Sequence, residues 1–432
     1  MNRSMENTIY KTYDDLPKVV LPEGREVFIS DSTIRDGSQM PGVVIKRKHR
    51  LKIYEFLHEI GVEKLETFVY HKRDRDPIVD MQDLGYEYPE ITGWARALPA
   101  DIDFVLDVDG INETGILMSV SDSHIFDKMQ LGSREEARKR YLDAIQYAVD
   151  QGLRTRAHLE DMTRADLHGF VYPLVKDILE IDSDCTIRIC DTLGFAVPFT
   201  GMCEPYSIPK IVASLRELGA KNIETHIHDD FGMSVSSAIA GYWYGANWSS
   251  LTFLGIGERS GNTELEKILL FLVRRVEGFE KYDLSCMASF AEYMEHHIGI
   301  RIPRNKSVVG RNVFVHESGI HTAGVIRNPF TYEPYPPEII GAERQLLIGD
   351  SSGREVIRHK VEETLHELMH VQVIIDKNDP RIADIQKEIQ RLYDEEERVS
   401  SISDEELTRY VEKHFMLNMI VDGEELHDSE ED

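Results

Sequence analysis

Two histidines one residue apart, in the segment ETHIHDD, are the first feature of this sequence whose types and spacing could do chemistry. His226 and His228 stand at i and i+2, so on a β-strand both side chains face the same way. Two imidazoles on one wall can ligate one cation. A His-x-His pair alone would equally be two surface histidines. Here it lies in a β-rich run and is followed by Asp229 and Asp230, which favours the ligand reading. A third ligand should come from another strand end, and STIRDGSQ offers Asp36 with Arg35 beside it. In isolation that pair is a salt bridge. As part of a site, Asp36 would bind the cation and Arg35 would polarise a substrate carbonyl. Two imidazoles and a carboxylate suit Mn2+, Mg2+, Zn2+ or Fe2+.

Such residues converge only if a scaffold brings distant strand ends together. Short β-rich runs alternate with longer helical patterns from about residue 27 to 258. The runs are VFISD (27–31), KLETFV (64–69), ITGWA (91–95), ILMSVS (116–121), RTRAHLE (154–160), TIRICD (186–191), NIETHIHD (222–229) and SLTFLG (250–255). Between them, KRKHRLKIYEFLHEIG and SREEARKRYLDAIQYAVDQG carry apolar residues at helical spacing and end at glycine, as helix C-caps do. Eight βα units predict an α/β (β/α)8 TIM barrel, whereas a doubly wound sheet accommodates five or six more readily. Polar clusters end most of these strands, where barrel active sites are built.

The 432 residues allow such a barrel plus an appended region. The expected organisation is an N-terminal extension (1–24), a catalytic barrel (25–285), a linker subdomain (286–360) and a helical C-terminal subdomain with an acidic tail (361–432). The linker reading comes from the Gly, Pro, His and Tyr richness between Ile298 and Asp350. GREVIRHKVEETLHELM and two later stretches read as helices, and DGEELHDSEED as the tail. The net charge of −28 disfavours nucleic-acid and anionic-lipid partners. No run of about 18 apolar residues predicts a membrane helix, and no apolar leader opens the chain. Four cysteines without a CxxC pair fit reduced thiols in a cytoplasmic protein.

The segments ISDSTIRDGSQMPGV, ETHIHDDFGM, LGIGERSGNTELE and FVHESGIHTAGV resemble the 2-isopropylmalate and homocitrate synthase family, metal-dependent barrel enzymes with a D-x-x-x-R-D/E motif. The resemblance runs from about residue 25 to 360. It implies that acetyl-CoA is deprotonated at its methyl group, that the enolate attacks a 2-oxo acid, and that the thioester is hydrolysed. It implies a divalent metal, Mn2+ expected with Mg2+, Zn2+ or Co2+ as alternatives. Asp36, His226 and His228 match the metal ligands, and Asn262 a supporting amide. Arg35 matches the residue that steadies the developing alkoxide, Gln39 a polar lining group, and Thr192 the hydroxyl that holds the 1-carboxylate. Glu224 matches a homocitrate synthase glutamate two residues before the first metal histidine. His321 and Tyr332 match catalytic residues that reach across a homodimer, with exchanged C-terminal regions, into the partner's barrel.

RTRAHLEDMTR resembles a homocitrate synthase segment whose arginine pairs with the distal carboxylate of 2-oxoglutarate, here Arg156. A guanidinium there favours a dicarboxylic substrate. His158 stands where the family usually has serine, and the larger ring should shorten the pocket and favour oxaloacetate. That is the chemistry of the Re-type citrate synthase branch. The expected alternatives are homocitrate synthase, then 2-isopropylmalate or citramalate synthase, and, outside the class, a metal-dependent C–C lyase or aldolase. The family's H-x-H-N-D is H-I-H-D-D here, so Asp229 should alter the bonds around the ligands. No long regulatory domain is expected.

Overall fold

The computed structural model describes residues 10–395 and 398–416; the acidic DGEELHDSEED stretch lies outside the described residues. Eight parallel strands form its core: β1 Phe28–Asp31, β2 Lys64–Thr67, β3 Glu90–Arg96, β4 Glu113–Ser119, β5 Arg154–Glu160, β6 Thr186–Asp191, β7 Asn222–Ile227 and β8 Trp248–Leu251. Sequence neighbours pair throughout and β8 returns to β1, closing the barrel. Around it run α1 Arg47–Ile60, α2 Lys72–Asp83, α3 Pro99–Leu106, α4 Arg134–Asp150, α5 Tyr172–Ile181, α6 Ile208–Glu217, α7 Ser234–Tyr244, α8 Leu265–Arg275 and α9 Met287–Tyr293. This is the (β/α)8 barrel that the alternation predicts. Helix α1 buries Ile53, Tyr54, Phe56, Leu57 and Ile60 on one stripe and ends at Gly61, whose φ of 92° suits a left-handed C-cap. Helix α4 starts at Ser133, whose hydroxyl accepts the Glu136 N–H at 3.1 Å.

The strands alternate in a way that places charge inside the barrel. In β6, Ile187 and Ile189 face the helices, while Arg188 points inward and reaches Glu66 of β2 at 2.8 Å. In β5, Arg156 reaches Ser30 of β1 at 3.0 Å. Bonds between non-adjacent strands can form only across the lumen. Most barrels fill this space with branched apolar side chains.

Six of the eight strands differ from their expected bounds, β4 and β8 by the most. β4 begins at Glu113 rather than Ile116, because the buried Glu113 carboxylate takes the Lys64 ammonium at 2.5 Å. The polar E-T-G start therefore reads locally as a turn but pairs as a strand. β8 stops at Leu251, because Leu254 at φ 62° and Gly255 at φ 69° turn the chain where the sequence continues apolar.

The chain forms two compact units. One comprises residues 18–302 and 307–309 and contains the barrel. The other contains residues 10–17, 303–306 and the described chain from 310. In it, two short strands, β9 Val315–His316 and β10 Gln345–Leu346, pair in parallel. Four helices accompany them: α10 Gly319–Arg327, α11 Arg354–Met369, α12 Pro380–Glu395 and α13 Asp404–Val411. Ile382, Ile385 and Ile389 of α12 pack with Val356, Ile357 and Val361 of α11 and with Leu407 and Val411 of α13. Helix α10 lies where the sequence reads as linker; its two glycines, Gly319 and Gly324, mask its periodicity. Among the described residues, no helix is long and apolar enough to cross a membrane.

Candidate active site

Strand β7 carries His226, and His228 follows just past its end on the same face. Asp36 closes the turn after β1, its N–H bonded to the Ser32 carbonyl at 2.8 Å. One donor atom from each of the three residues lies within 4.8 Å of the others, and all three residues are buried. His226 Nε2 is 3.2 Å from Asp36 Oδ2, and the two imidazoles stand 5.1 Å apart at 86°. Asn262 is brought alongside by an antiparallel bridge to His228. The preceding Gly261, at φ 86°, must be glycine, because a Cβ there would overlap the Gly255 carbonyl oxygen.

Four buried atoms of this cluster lack any hydrogen-bond partner: Asp36 Oδ2, His226 Nδ1, His228 Nδ1 and Asn262 Oδ1. Buried polar atoms are costly to leave unsatisfied, and a cation satisfies exactly such a set of oxygen and nitrogen lone pairs. Burial and the neighbouring His226 push the His228 imidazole down to about 4. Burial would raise the Asp36 carboxyl, but Arg35 and the two histidines hold it well below the usual carboxylate range. Asp36 and His228 are therefore deprotonated at neutral pH, as metal binding requires. The residues present fit a divalent cation.

Arg35 lies beside this cluster, with Nη1 3.6 Å from Asp36 Oδ1 and Nε 2.6 Å from Glu66 Oε1. Its guanidinium packs 5.9 Å from the Phe68 and Trp94 ring centres. It is thus fixed on one side by a carboxylate and on the other by aromatic faces. Gln39 is exposed on the turn Gly37–Gln39 and lines a cavity of about 750 Å³ with Lys46, Arg73, Phe68 and Trp94. The Thr192 hydroxyl accepts the Asp161 N–H at 2.9 Å, which leaves its own proton to donate elsewhere.

Glu224, Arg156 and His158 lie deeper. Glu224 is fully buried and accepts from Arg156 and, at 2.6 Å, from Arg188. Burial would raise its carboxyl, but those two guanidinium groups lower it. Arg156 is 1% exposed and also contacts Ser30, Thr92 and Glu113. The His158 ring lies over Gly115, where a Cβ would overlap its Cε1–Nε2 edge. Its register partner on β4 is Leu117, so the ring leans toward the N-terminal end of the barrel and not toward its mouth. Burial and Arg188 keep this imidazole neutral, far below its ordinary pKa.

His321 and Tyr332 belong to the second unit, where their rings meet at 4.3 Å. Tyr332 packs over Gly324 of α10. The adjacent Glu333 is buried, takes Arg344 in two bonds of 2.7 Å, and lies 3.1 Å from His316.

Arg188 escaped the sequence reading, and Glu66 counted there only as a strand-end polar residue with no role. Glu66 joins Arg35, Arg188, His158 and Arg156, and their charges, Arg188 foremost, pull its carboxyl far down despite the opposing effect of burial. Arg188 bridges Glu66 and Glu224. The available signal was the period-2 placement of charge in TIRICD and KLETFV.

The family model described as HMGL-like matches residues 26–293. The one described as homocitrate synthase post-HMGL domain-like matches residues 308–396. A citrate (Re)-synthase of Clostridium kluyveri is 35% identical over 96% of this chain and 95% of its own. A homocitrate synthase AksA of Methanothermobacter thermautotrophicus is 35% identical over 82% and 89%. A 2-isopropylmalate synthase 2 of Caldanaerobacter subterraneus subsp. tengcongensis is 33% identical over 78% and 86%. Among solved structures, an HMG-CoA lyase from Bacillus subtilis superposes with a TM-score of 0.53 at 22% identity, covering 66% of this chain and 97% of that one. At that identity it speaks for the fold alone. With the cation cluster, the fixed arginine and both family models in one chain, this protein belongs to the HMGL-like family, within its 2-isopropylmalate and homocitrate synthase group of acyltransferase enzymes.

Proposed function

We propose that this chain condenses acetyl-CoA with a dicarboxylic 2-oxo acid and releases CoA, with oxaloacetate giving citrate as the first choice. Homocitrate formation from 2-oxoglutarate is the second. The observation that carries the reading is the juxtaposition of three buried cation donors with a guanidinium that Glu66 holds in place. Asp36, His226 and His228, with the Asn262 amide oxygen beside them, would hold the ion. Mn2+ fits this mixed nitrogen and oxygen set, as do Mg2+, Zn2+ and Co2+. When bound, it supplies a Lewis acid for the keto oxygen.

The chain's own groups then have distinct tasks. Arg35 faces the oxygen on which charge develops during carbon–carbon bond formation, and its fixed orientation stabilises that charge without reorganisation. Thr192 donates its free hydroxyl proton to the 1-carboxylate. The cavity beside Gln39, lined by Lys46, Arg73 and aromatic rings, suits the phosphate-bearing arm of the thioester. Removing the weakly acidic methyl proton requires a positioned base. His321 with Tyr332, delivered from the partner of a homodimer, is the reading for that role. Glu224, engaged by two arginines, is read as holding them in place and not as the base. Hydrolysis of the thioester consumes one water and frees the CoA thiol.

Mass analysis of the product from methyl-labelled acetyl-CoA and each of oxaloacetate, 2-oxoglutarate, 2-oxoisovalerate and pyruvate tests this. Labelled citrate is the expected main product. A preference for 2-oxoisovalerate overturns the dicarboxylic reading.

A further inference from the structure

We propose that Arg188 is the residue that selects a doubly charged oxo acid, acting from the inner face of β6 just below the metal donors. The inference rests on the condensation reading above. Strand register gives its position. His158, Arg188 and Glu224 are consecutive Cα partners across β5, β6 and β7, and the row above pairs Cys190 with His226. Thr192 follows Arg188 by four residues, beyond the strand end. Arg188 therefore sits one inward row beneath His226, about 5 Å down the barrel axis given about 3.3 Å per residue and a strand tilt near 36°. A substrate whose first carboxylate reaches Thr192, and whose keto group reaches Arg35, points its far end at this row.

Charge gives the second argument. Arg35, Arg156, Arg188 and Lys64 face Asp36, Glu66, Glu224 and Glu113, four charges of each sign, so the cluster is neutral as it stands. The His158 imidazole adds no charge. A divalent cation then leaves two positive charges, which a dianionic oxo acid cancels and a monoanionic one does not. Without Arg188 the same cluster carries one surplus negative charge directly in the path of a second carboxylate, which buried surroundings make costly.

Bonding gives the third. Arg188 Nη2 and His158 Nε2 are buried and have no hydrogen-bond acceptor. Both approach Glu66 Oε2, at 2.8 and 3.4 Å, without hydrogen-bond alignment. Arg156, which sequence resemblance favours for this task, donates through both terminal nitrogens to Glu224, Ser30 and Thr92, and its one unaligned nitrogen, Nε, faces Glu113 at 3.4 Å. Arg188, held at Nε by Glu224 and at Nη1 by Glu66, thus keeps the terminal Nη2 without an aligned acceptor, an N–H that a carboxylate entering from the mouth can accept. Because Gly115 lets His158 lean away, the guanidinium forms the wall of this row.

The test is Arg188→Met, which removes the charge and keeps an unbranched stem. A lost hydrogen bond to a charged group costs about 10- to 100-fold in kcat/KM. The ratio of kcat/KM for oxaloacetate over pyruvate is expected to fall by that factor. In parallel, calorimetry reads binding of two non-reacting probes, malate and lactate, to the Mn2+-loaded protein. Malate affinity should drop at least 10-fold while lactate changes less than twofold. Equal losses for both acids, in rate or in binding, would mean a purely structural role and overturn the proposal. Arg188→Lys keeps the charge on a retracted head and should give an intermediate ratio; an unchanged ratio in that variant also overturns it, whether or not the methionine variant folds. If no oxo acid supports thiol release, the condensation reading fails, and the malate-against-lactate comparison alone still decides the role of Arg188.

Discussion

Replacing Gly115 by alanine puts a methyl group into the one place where the His158 ring can lie. The new Cβ would overlap the ring's Cε1–Nε2 edge and stand 3.2 Å from Nδ1. Carbon contacts need about 3.5–4.0 Å, so the imidazole must move by roughly 1 Å or more. Strand β4 cannot yield, because it is paired on both sides along the barrel. A ring moved off Gly115 presses on Glu66, already 3.4 Å from its Nε2, and on the Arg188 guanidinium 2.8 Å from that carboxylate. Overpacking of this kind costs about 1–3 kcal/mol. At about 2–4 °C per kcal/mol for a unit of this size, the barrel transition should fall by roughly 2–12 °C. The assay is a double-mutant cycle by scanning calorimetry. His158→Ser removes the ring, so Gly115→Ala should cost about 1 kcal/mol less, or more, in that background. The same loss in both backgrounds, or none in either, would refute the steric account and with it the inward lean of His158.

Two further outcomes follow from other parts of the barrel. Burial, only partly offset by hydrogen bonds from Thr33, pushes the Asp31 carboxyl up to about 7, against about 3.9 in an unfolded chain. Between those values the folded chain keeps a proton that the unfolded chain releases, so this group's contribution falls by about 1.4 kcal/mol per pH unit from pH 4 to 7 and is fully unfavourable above 7. Asp31→Asn should therefore gain stability relative to the parent as pH rises from 5 to 8, read as a widening Tm difference; a pH-independent difference would contradict it. Separately, Lys46→Glu with Arg73→Glu should raise KM for acetyl-CoA about fivefold or more while KM for the oxo acid stays within twofold. Parallel changes in both constants would place the thioester arm elsewhere.

The sequence made some of this legible and hid the rest for physical reasons. His226 and His228 could be read because a strand fixes the relation of i to i+2, and that geometry is local. The barrel could be read because eight units repeat the same local alternation. β5 and β6 were placed within their exact bounds, since RTRAHLE and TIRICD alternate strictly. β4 was clipped because Glu113 counts as a strand residue only when Lys64 neutralises it. Arg188, and the role of Glu66 as its partner, were missed because their contact joins positions 122 apart, which no local pattern encodes. The likeness of Arg156 to a known carboxylate-binding arginine was visible. That Glu224 would already engage it depended on the same long-range packing. His158 was expected to shorten the pocket from its size alone; its direction is set by a glycine on the neighbouring strand, 43 residues earlier in the numbering (158 minus 115).

The central claim is that Asp36, His226 and His228 hold one divalent ion on which condensation depends. The most direct measurement titrates Mn2+ into chelator-stripped protein, following free Mn2+ by electron paramagnetic resonance and CoA thiol release with acetyl-CoA and oxaloacetate in the same samples. The expected result is one tight site per chain, with thiol release rising in proportion to its occupancy, and both lost in His226→Ala. Full thiol release in the stripped protein, or an unchanged tight site in His226→Ala, would contradict it.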